Sequence, residues 1–176
     1  KCYLSKIIIN DNNLYFTVEN GVLFNKDKTE LIRCINNSNS RYDIPNGVVK
    51  ICDFAFEYKE LESVSIPKSV TYIGESAFSG CSGLVKVNYL GSVDKWAQIN
   101  FASLYANPTN NTNDLYINDE LLTEVRISSA DNIKKYAFYN CKNLTDVMFG
   151  ENLKTIGKYA FYNCDSLVDI NLPSSM

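Results

Sequence analysis

Histidine is absent from the 176 residues of this sequence, which also has only four prolines, two methionines and one tryptophan. Histidine is the commonest general base and the commonest metal ligand, so its absence removes every Ser–His and Cys–His nucleophile pair. Six cysteines are present, but none belongs to a Cys-x-x-Cys pair, which disfavours a zinc site. We therefore expect a protein that is not an enzyme and that holds neither a metal nor a cofactor.

An excess of basic residues and a long apolar run are also missing. Lys and Arg number 17 against 20 Asp and Glu, which gives a net charge of -3 and a pI of about 5.0. This balance lacks the positive surface that nucleic-acid binding requires. No apolar stretch approaches the ~18 residues of a membrane-spanning helix, and the first residues show no secretory-signal pattern. The expected partners include neither nucleic acid nor the interior of a membrane.

An internal repeat of about 22–23 residues dominates the sequence. The dipeptide Ala-Phe recurs with an Ile four residues before the Ala, and three of the four copies have a Cys three residues after the Phe. A Leu-x-x-Val or Leu-x-x-Ile motif follows each copy. The four dipeptides are Ala55-Phe56, Ala77-Phe78, Ala137-Phe138 and Ala160-Phe161.

The repeated motif predicts short strands that stack on one another. Residues after each leucine alternate between apolar and polar, which is typical of a strand with one buried face, and Ala-Phe places a small and a large side chain inside. A single unit cannot cover its own apolar edge, whereas stacked units form parallel strands about 4.8 Å apart. We expect one parallel sheet, in chain order, from strands that begin near Leu61, Leu84, Leu122, Leu144 and Leu167.

Two longer units, near 10–43 and 88–121, interrupt the regular spacing. Apolar runs on both sides of residues 25–28 predict a β-hairpin in the first unit, and similar runs around 118–120 predict another in the second. These units are expected to be irregular members of the same stack.

Ser92 begins a segment that allows two interpretations. It is a suitable N-cap for a helix of one to two turns that contains Trp96. The run from Ser92 to Lys95 also matches the Ser-x-x-Lys nucleophile pattern, but two fixed positions recur by chance and the companion motifs are absent. We favour the short helix, with Trp96 filling the interior rather than serving as a platform for a ligand.

The repeat resembles the BspA-like leucine-rich repeats of bacterial and protozoan surface proteins. The clearest copies run from Ile66 to Leu84 and from Leu153 to Leu172, and the segments 20–31 and 89–118 are similar to the longer repeats of that family. The resemblance implies an α/β, β-dominated leucine-rich-repeat solenoid that forms a single unit over residues 1–176. This solenoid would be right-handed, with a parallel sheet on its concave face and irregular turns or short helices on the other side.

The same resemblance implies a non-catalytic binding or adhesion module of a secreted or cell-surface protein, located outside the cell. Its partners would be proteins or glycans, with host matrix proteins among them. Two alternatives remain open. The chain could be a structural spacer with no ligand of its own, or an accessory domain of a larger surface enzyme.

The candidate binding residues are the outward positions of the predicted strands, because solenoids commonly bind partners on their sheet face. These positions are polar and of mixed charge, so a solvated face without a ligand is the alternative. Tyrosines at 136, 139, 159 and 162 form a second surface, for which we favour an aromatic ladder between coils over a sugar- or protein-binding patch. The candidate ligand-binding residues are Lys86, Asn88, Glu124, Arg126, Asp146, Met148, Asp169 and Asn171.

Three cysteines share one position of the repeat, which indicates buried thiols that pack as small apolar side chains. These are Cys81, Cys141 and Cys164. On adjacent coils, Cys141 and Cys164 would lie about 5 Å apart with parallel Cα–Cβ bonds, which disfavours a disulfide between them. The other cysteines share no position of the repeat: Cys2, Cys34 and Cys52.

Overall fold

The computed structural model describes residues 6–10, 12–35, 40–174 and 176, so Cys2 lies outside the described residues. Two columns of short strands run along the described chain, and tight turns connect them into a β-solenoid. The strands are β1 (Phe16–Glu19), β2 (Val22–Asn25), β3 (Glu30–Cys34), β4 (Arg41–Asp43), β5 (Lys50–Ile51), β6 (Ser63–Pro67), β7 (Tyr72–Ile73), β8 (Lys86–Leu90), β9 (Asn100–Phe101), β10 (Leu115–Ile117), β11 (Glu120–Leu121), β12 (Glu124–Ile127), β13 (Asn132–Ile133), β14 (Asp146–Phe149) and β15 (Thr155–Ile156).

Each column of strands is divided into two sheets. In the first column, β4, β6, β8 and β10 pair in parallel, β11 adds an antiparallel edge, and β12 and β14 form a separate parallel pair. In the second column, β3, β5, β7 and β9 are parallel, β1 and β2 add an antiparallel hairpin, and β13 pairs with β15. The fold is therefore a β-solenoid with few helices.

The prediction of one parallel sheet is wrong in two places. The neighbour of β8 after β6 is β10 rather than the strand that follows Leu122, because the β10–β11 hairpin occupies that edge. No strand follows Leu167 among the described residues. In that segment Ile170 is 41% exposed and Leu172 is 58% exposed, so burial does not hold it in an extended conformation.

Both predicted hairpins are present, and so is the predicted helix. Strands β2 and β3 pair antiparallel, as do β10 and β11. The helix α1 (Val93–Ala97) begins at Ser92, whose side-chain oxygen accepts a hydrogen bond of 3.3 Å from the Lys95 N–H. A 3₁₀ turn at Pro108–Asn110 follows in the same irregular unit.

Regular coils are joined by backbone hydrogen bonds and by stacked phenylalanines. The Phe56 N–H donates to the Ala77 carbonyl at 2.7 Å, and the Phe138 N–H donates to the Ala160 carbonyl at 2.8 Å. The rings of Phe138 and Phe161 are stacked, with centroids 5.2 Å apart. Because each coil supplies acceptors and apolar surface to the coil before it, neighbouring coils stabilise one another.

The irregular unit replaces these backbone donors with side chains. The Trp96 indole N–H donates to the Ala137 carbonyl at 2.7 Å, and the Thr109 hydroxyl donates to the Tyr139 carbonyl at 2.7 Å. In the last coil pair, the carbonyls at the corresponding positions accept from the backbone N–H groups of Phe138 and Asn140. The Asn107 amide also donates to the Ala137 carbonyl, at 3.2 Å. Buried polar side chains thus connect two blocks of coils, beside the backbone hydrogen bond of 2.8 Å from the Lys134 N–H to Ala97.

Asp94 of α1 makes a second connection between these blocks. Its carboxylate accepts hydrogen bonds from the backbone N–H groups of Ser128, Ser129 and Ala130, at 3.1, 2.8 and 2.9 Å. Burial acts to raise the pKa of Asp94, but the bonds from Ser129, Ala130 and Ser128 outweigh it and hold the pKa below its usual value. The ionised carboxylate therefore anchors the turn that follows β12.

Gly157 has no room for a side chain, and we expect Gly157→Ala to lower the free energy of unfolding by about 1–3 kcal/mol. An added Cβ would lie 2.4 Å from the Lys135 nitrogen and 2.7 Å from the Lys134 carbonyl carbon, and both are backbone atoms of the neighbouring coil. Gly83→Ala is the matched control, since its Cβ would meet the Leu61 oxygen at an ordinary 3.4 Å. Urea unfolding of both variants measures the difference. Equal stability of the two variants would contradict this prediction, because it would show that the neighbouring coil makes room for the added methyl group without a loss of free energy.

Candidate binding surface

The first group of candidate residues, on β8, is held by the β10–β11 turn. The Lys86 ammonium lies 2.9 Å from an Asp119 carboxylate oxygen, which also accepts from the Asn88 amide at 3.0 Å. The Asp119 N–H donates back to Asn88 at 2.9 Å. The hydrogen bond and positive charge of Lys86 lower the pKa of Asp119. These side chains are bonded to one another, which limits what they can offer a partner.

The prediction that Asn88 faces solvent is wrong, because this residue is only 5% exposed. Alternation along β8 points it outward, but the turn at Asn118 and Asp119 lies over it. Both turn residues have positive φ, 50° and 70°, which suits a tight two-residue hairpin connection. The hairpin itself follows from the sequence, whereas its contact with β8 depends on strand pairing over a long sequence separation.

The second group, on β12 and β14, is open to solvent. Glu124 lies opposite Asp146, and Arg126 lies opposite Met148, in the parallel register. The Arg126 guanidinium donates to Glu124 at 2.7 Å and to the Met148 sulfur at 3.1 Å. The hydrogen bond and charge of Glu124 raise the pKa of Arg126 above its already high value. We call these four residues the strand patch.

The last two candidates, Asp169 and Asn171, are exposed but lie outside any strand. Their position on an extension of the strand patch remains a prediction from the repeat. The structure therefore divides the predicted row into a bonded group on β8, the strand patch, and an exposed segment without regular pairing.

The four tyrosines form a compact ladder, the arrangement favoured from the sequence. Tyr136 stacks on Tyr159 with centroids 5.7 Å apart, and Tyr139 stacks on Tyr162 at 5.4 Å. Edge-to-face contacts join the rings within each coil, with centroids 6.2 Å apart for Tyr136 and Tyr139 and 5.6 Å apart for Tyr159 and Tyr162. Each stacked pair covers one face of both of its rings, so the ladder contributes mainly to cohesion between coils.

The three cysteines at the shared repeat position are buried, as predicted. Cys81, Cys141 and Cys164 are 0%, 2% and 8% exposed and carry free thiols. The Cys81 thiol donates to the Phe56 carbonyl of the previous coil at 3.0 Å, and Cys164 donates to Phe138 at 3.2 Å. Burial raises the pKa of Cys81 and Cys164 to about 11, and it raises the pKa of Cys141 well above its usual value. Burial and the raised pKa values keep these thiols protonated, so we expect them to be unreactive structural groups.

The described part of the chain shows neither a metal-binding cluster nor a membrane-spanning helix. It contains no cluster of three or more Cys, Asp or Glu side chains arranged to hold a metal ion. Within the same residues, no helix has the length and apolar character needed to cross a bilayer.

Comparison with known proteins points to one family. A family model described as the BspA type leucine rich repeat region matches residues 1–107 and 109–176, in six copies. A leucine-rich repeat protein from Eubacterium ventriosum ATCC 27560 is similar in structure, with a TM-score of 0.53 and 25% identity over 95% of this chain and 48% of its own. A leucine rich cell surface protein from Faecalibacterium prausnitzii A2-165 has a TM-score of 0.53 and 19% identity over 90% of this chain and 55% of its own. This chain thus spans about half the length of these relatives. A search of curated proteins gives no match.

Proposed function

Because the chain belongs to the BspA-type leucine-rich repeat family, we propose that it is a non-catalytic binding module of a surface-exposed protein and that it recognises a protein or glycan. The strand patch is the observation that carries this proposal. There Glu124, Arg126 and Met148 are exposed on a paired, rigid backbone, and Asp146 is half-buried beside them. A partner can reach side chains of two adjacent coils at once.

The composition and the relatives support the same proposal. The chain lacks histidine, the residue most often used for general acid–base catalysis, which favours binding over chemistry. A structural relative is described as a cell surface protein, which supports an extracellular location. We further propose that the solenoid is right-handed and that the strand patch lies on its concave side, as the family resemblance implies.

A rigid spacer is the second candidate function. The stacked coils with their backbone hydrogen bonds and phenylalanine pairs favour it, since such a body holds its shape without a ligand. Screening the chain against arrays of matrix proteins and glycans separates the two functions. Reproducible binding supports the module, and an array without any binding supports the spacer.

The strand patch is tested with the double variant Arg126→Ala/Asp146→Ala. We expect it to weaken binding of the array-selected partner by about tenfold, the usual effect of removing central interface side chains. Arg41→Ala/Asp43→Ala is the control, because it also removes one basic and one acidic side chain, here an exposed ion pair of 3.3 Å on β4. Both variants should melt at the temperature of the parent. Equal binding by the two variants would place the interface elsewhere.

A further inference from the structure

A shallow depression of about 430 Å³ lies over β13 and β15, on the second column of strands and apart from the strand patch. Ile133 is 2% exposed and points into the core, so Asn132 and Lys134 on either side of it point outward. Opposite Lys134, Gly157 contributes only backbone to the floor. The lining residues are Asp131, Asn132, Ile133, Lys134, Lys135, Lys154, Thr155 and Gly157.

The depression is locally basic in a protein whose net charge is -3. Three lysines line it against one carboxylate, that of Asp131, which accepts a hydrogen bond of 2.6 Å from the Asn132 amide. Lys135 donates to the Ala102 carbonyl at 2.9 Å. The ammonium groups of Lys134 and Lys154 make no hydrogen bond or ion pair with any other described residue, so both are available to an anion.

The second observation is a hydrogen-bond acceptor without a donor in the described part of the chain, the side-chain oxygen of Asn132. The Asn132 side-chain oxygen is shielded from solvent and has no hydrogen-bond partner among the described residues. A buried acceptor without a donor is costly, and a ligand whose O–H group reaches it after a small movement of the surrounding side chains removes this cost. Thr155, directly opposite Asn132 in the register, adds a hydroxyl that can donate or accept.

We propose that this depression binds the acidic sugar units of an anionic polysaccharide. A sugar carboxylate or sulfate pairs with Lys134 and Lys154, and a hydroxyl of the same ring donates to the Asn132 oxygen. The volume lies in the range of small-ligand sites, about 300–1,000 Å³. An acidic peptide matches the charge, but it offers one backbone N–H per residue, whereas a sugar ring presents hydroxyl donors directly beside its anionic group.

The neighbouring coil extends the basic surface, which suits a polymer rather than a single sugar. In the register of β13 and β15, Lys158 lies one coil on from Lys135. Its ammonium lies 4.7 Å from the centroid of the Tyr159 ring, and Lys135 lies 5.7 Å from that of Tyr136. Ammonium groups on successive coils therefore line the edge of the tyrosine ladder.

Isothermal titration at low ionic strength tests the proposal with four probes. Heparin presents sulfates, polygalacturonate presents carboxylates, dextran is a neutral polysaccharide, and poly-glutamate is an acidic peptide. We expect binding of heparin or polygalacturonate, weakened by added salt, and weaker or absent binding of the other two. The stronger of the first two probes identifies the anionic group. Poly-glutamate binding as tight as that of the polysaccharides would overturn the assignment to a sugar.

The double variant Lys134→Gln/Lys154→Gln should bind the polysaccharide at least about tenfold more weakly, since bonds to charged groups are lost. Lys26→Gln/Lys68→Gln removes the same charge elsewhere and should bind within about twofold of the parent. Equal losses in the two variants, or a parent that binds neither polysaccharide, would overturn the proposal.

Two further variants test the details of this site. The first tests the hydroxyl contact, and the second tests whether the site is independent of the strand patch. Asn132→Ala keeps all three lysines, so weaker binding supports the hydroxyl contact and unchanged binding overturns it. Arg126→Ala/Asp146→Ala should bind the polysaccharide like the parent, because the depression does not depend on the strand patch. A loss in that variant would place the polysaccharide on the strand patch and overturn this assignment.

Discussion

Trp96→Ala should lower the free energy of unfolding by about 3–5 kcal/mol, the usual cost of truncating a buried aromatic residue. Trp96 is fully buried, and its ring contacts Tyr89 and Phe101 with centroids 5.3 and 5.4 Å apart. Its indole N–H also donates to the Ala137 carbonyl. The variant therefore loses packing within the irregular unit and a bond to the next coil. Because this is the one tryptophan of the chain, unfolding in urea is followed by circular dichroism.

Trp96→Phe separates the two contributions. It keeps most of the apolar volume and removes the donor, which leaves Ala137 with the weaker bond from Asn107. We expect a loss of about 1–3 kcal/mol, smaller than that of the alanine variant. A loss under about 1 kcal/mol for Trp96→Ala would mean that the indole does not hold the two blocks together.

Phe138→Ala should also cost about 3–5 kcal/mol, because its ring is fully buried and stacked on that of the next coil. The effect should reach the following coil, since Phe138 also donates its backbone N–H to Ala160. Hydrogen exchange in that coil should accelerate. Urea unfolding and exchange measured on the same variant test both statements.

Two controls accompany Phe138→Ala. Phe161→Ala should cost less, because Phe161 is only partly buried although it stacks on the same ring. Phe16→Ala should cost under about 1 kcal/mol, because that ring is 42% exposed on an edge strand. A large loss for Phe16→Ala with a small loss for Phe138→Ala would reverse the assignment of the core.

Much of the fold follows from the repeat itself. The Ala-Phe dipeptides mark the buried column, and Ala55, Ala77 and Ala137 are fully buried with Phe56, Phe78 and Phe138. The left-handed residues do not follow from it. Phe54, Tyr136 and Tyr159 adopt φ of 59°, 64° and 62°, which costs energy for bulky residues. Backbone hydrogen bonds between coils impose this conformation, and the conformational preferences of these residues do not predict it. One such bond runs from the Tyr136 N–H to Lys158.

The sequence predicts the exposure of candidate residues correctly where the alternation of apolar and polar residues along a strand decides it. The prediction fails where contacts with distant parts of the chain decide the exposure. Alternation along β12 and β14 correctly leaves Arg126 and Met148 in solvent. Asn88 obeys the same alternation, but a turn thirty-one residues later covers it. The depression over β13 and β15 was not anticipated, because it depends on Gly157 lying opposite Lys134 on a neighbouring coil. The sequence feature that could have indicated it is the pair of adjacent lysines before Tyr136, together with the single Lys158 before Tyr159 on the next coil.

The side-chain junction made by Trp96, Asn107 and Thr109 has a mechanical consequence. When tension is applied to the two ends of the solenoid, regular coils share the load among backbone hydrogen bonds that act side by side. At the junction, the load passes through rotatable side chains bonded to Ala137 and Tyr139 and through the backbone bond from the Lys134 N–H to Ala97. Rotatable side chains yield before a backbone ladder does. Under shear flow or traction, the contact between the two blocks of coils should therefore break first at this junction.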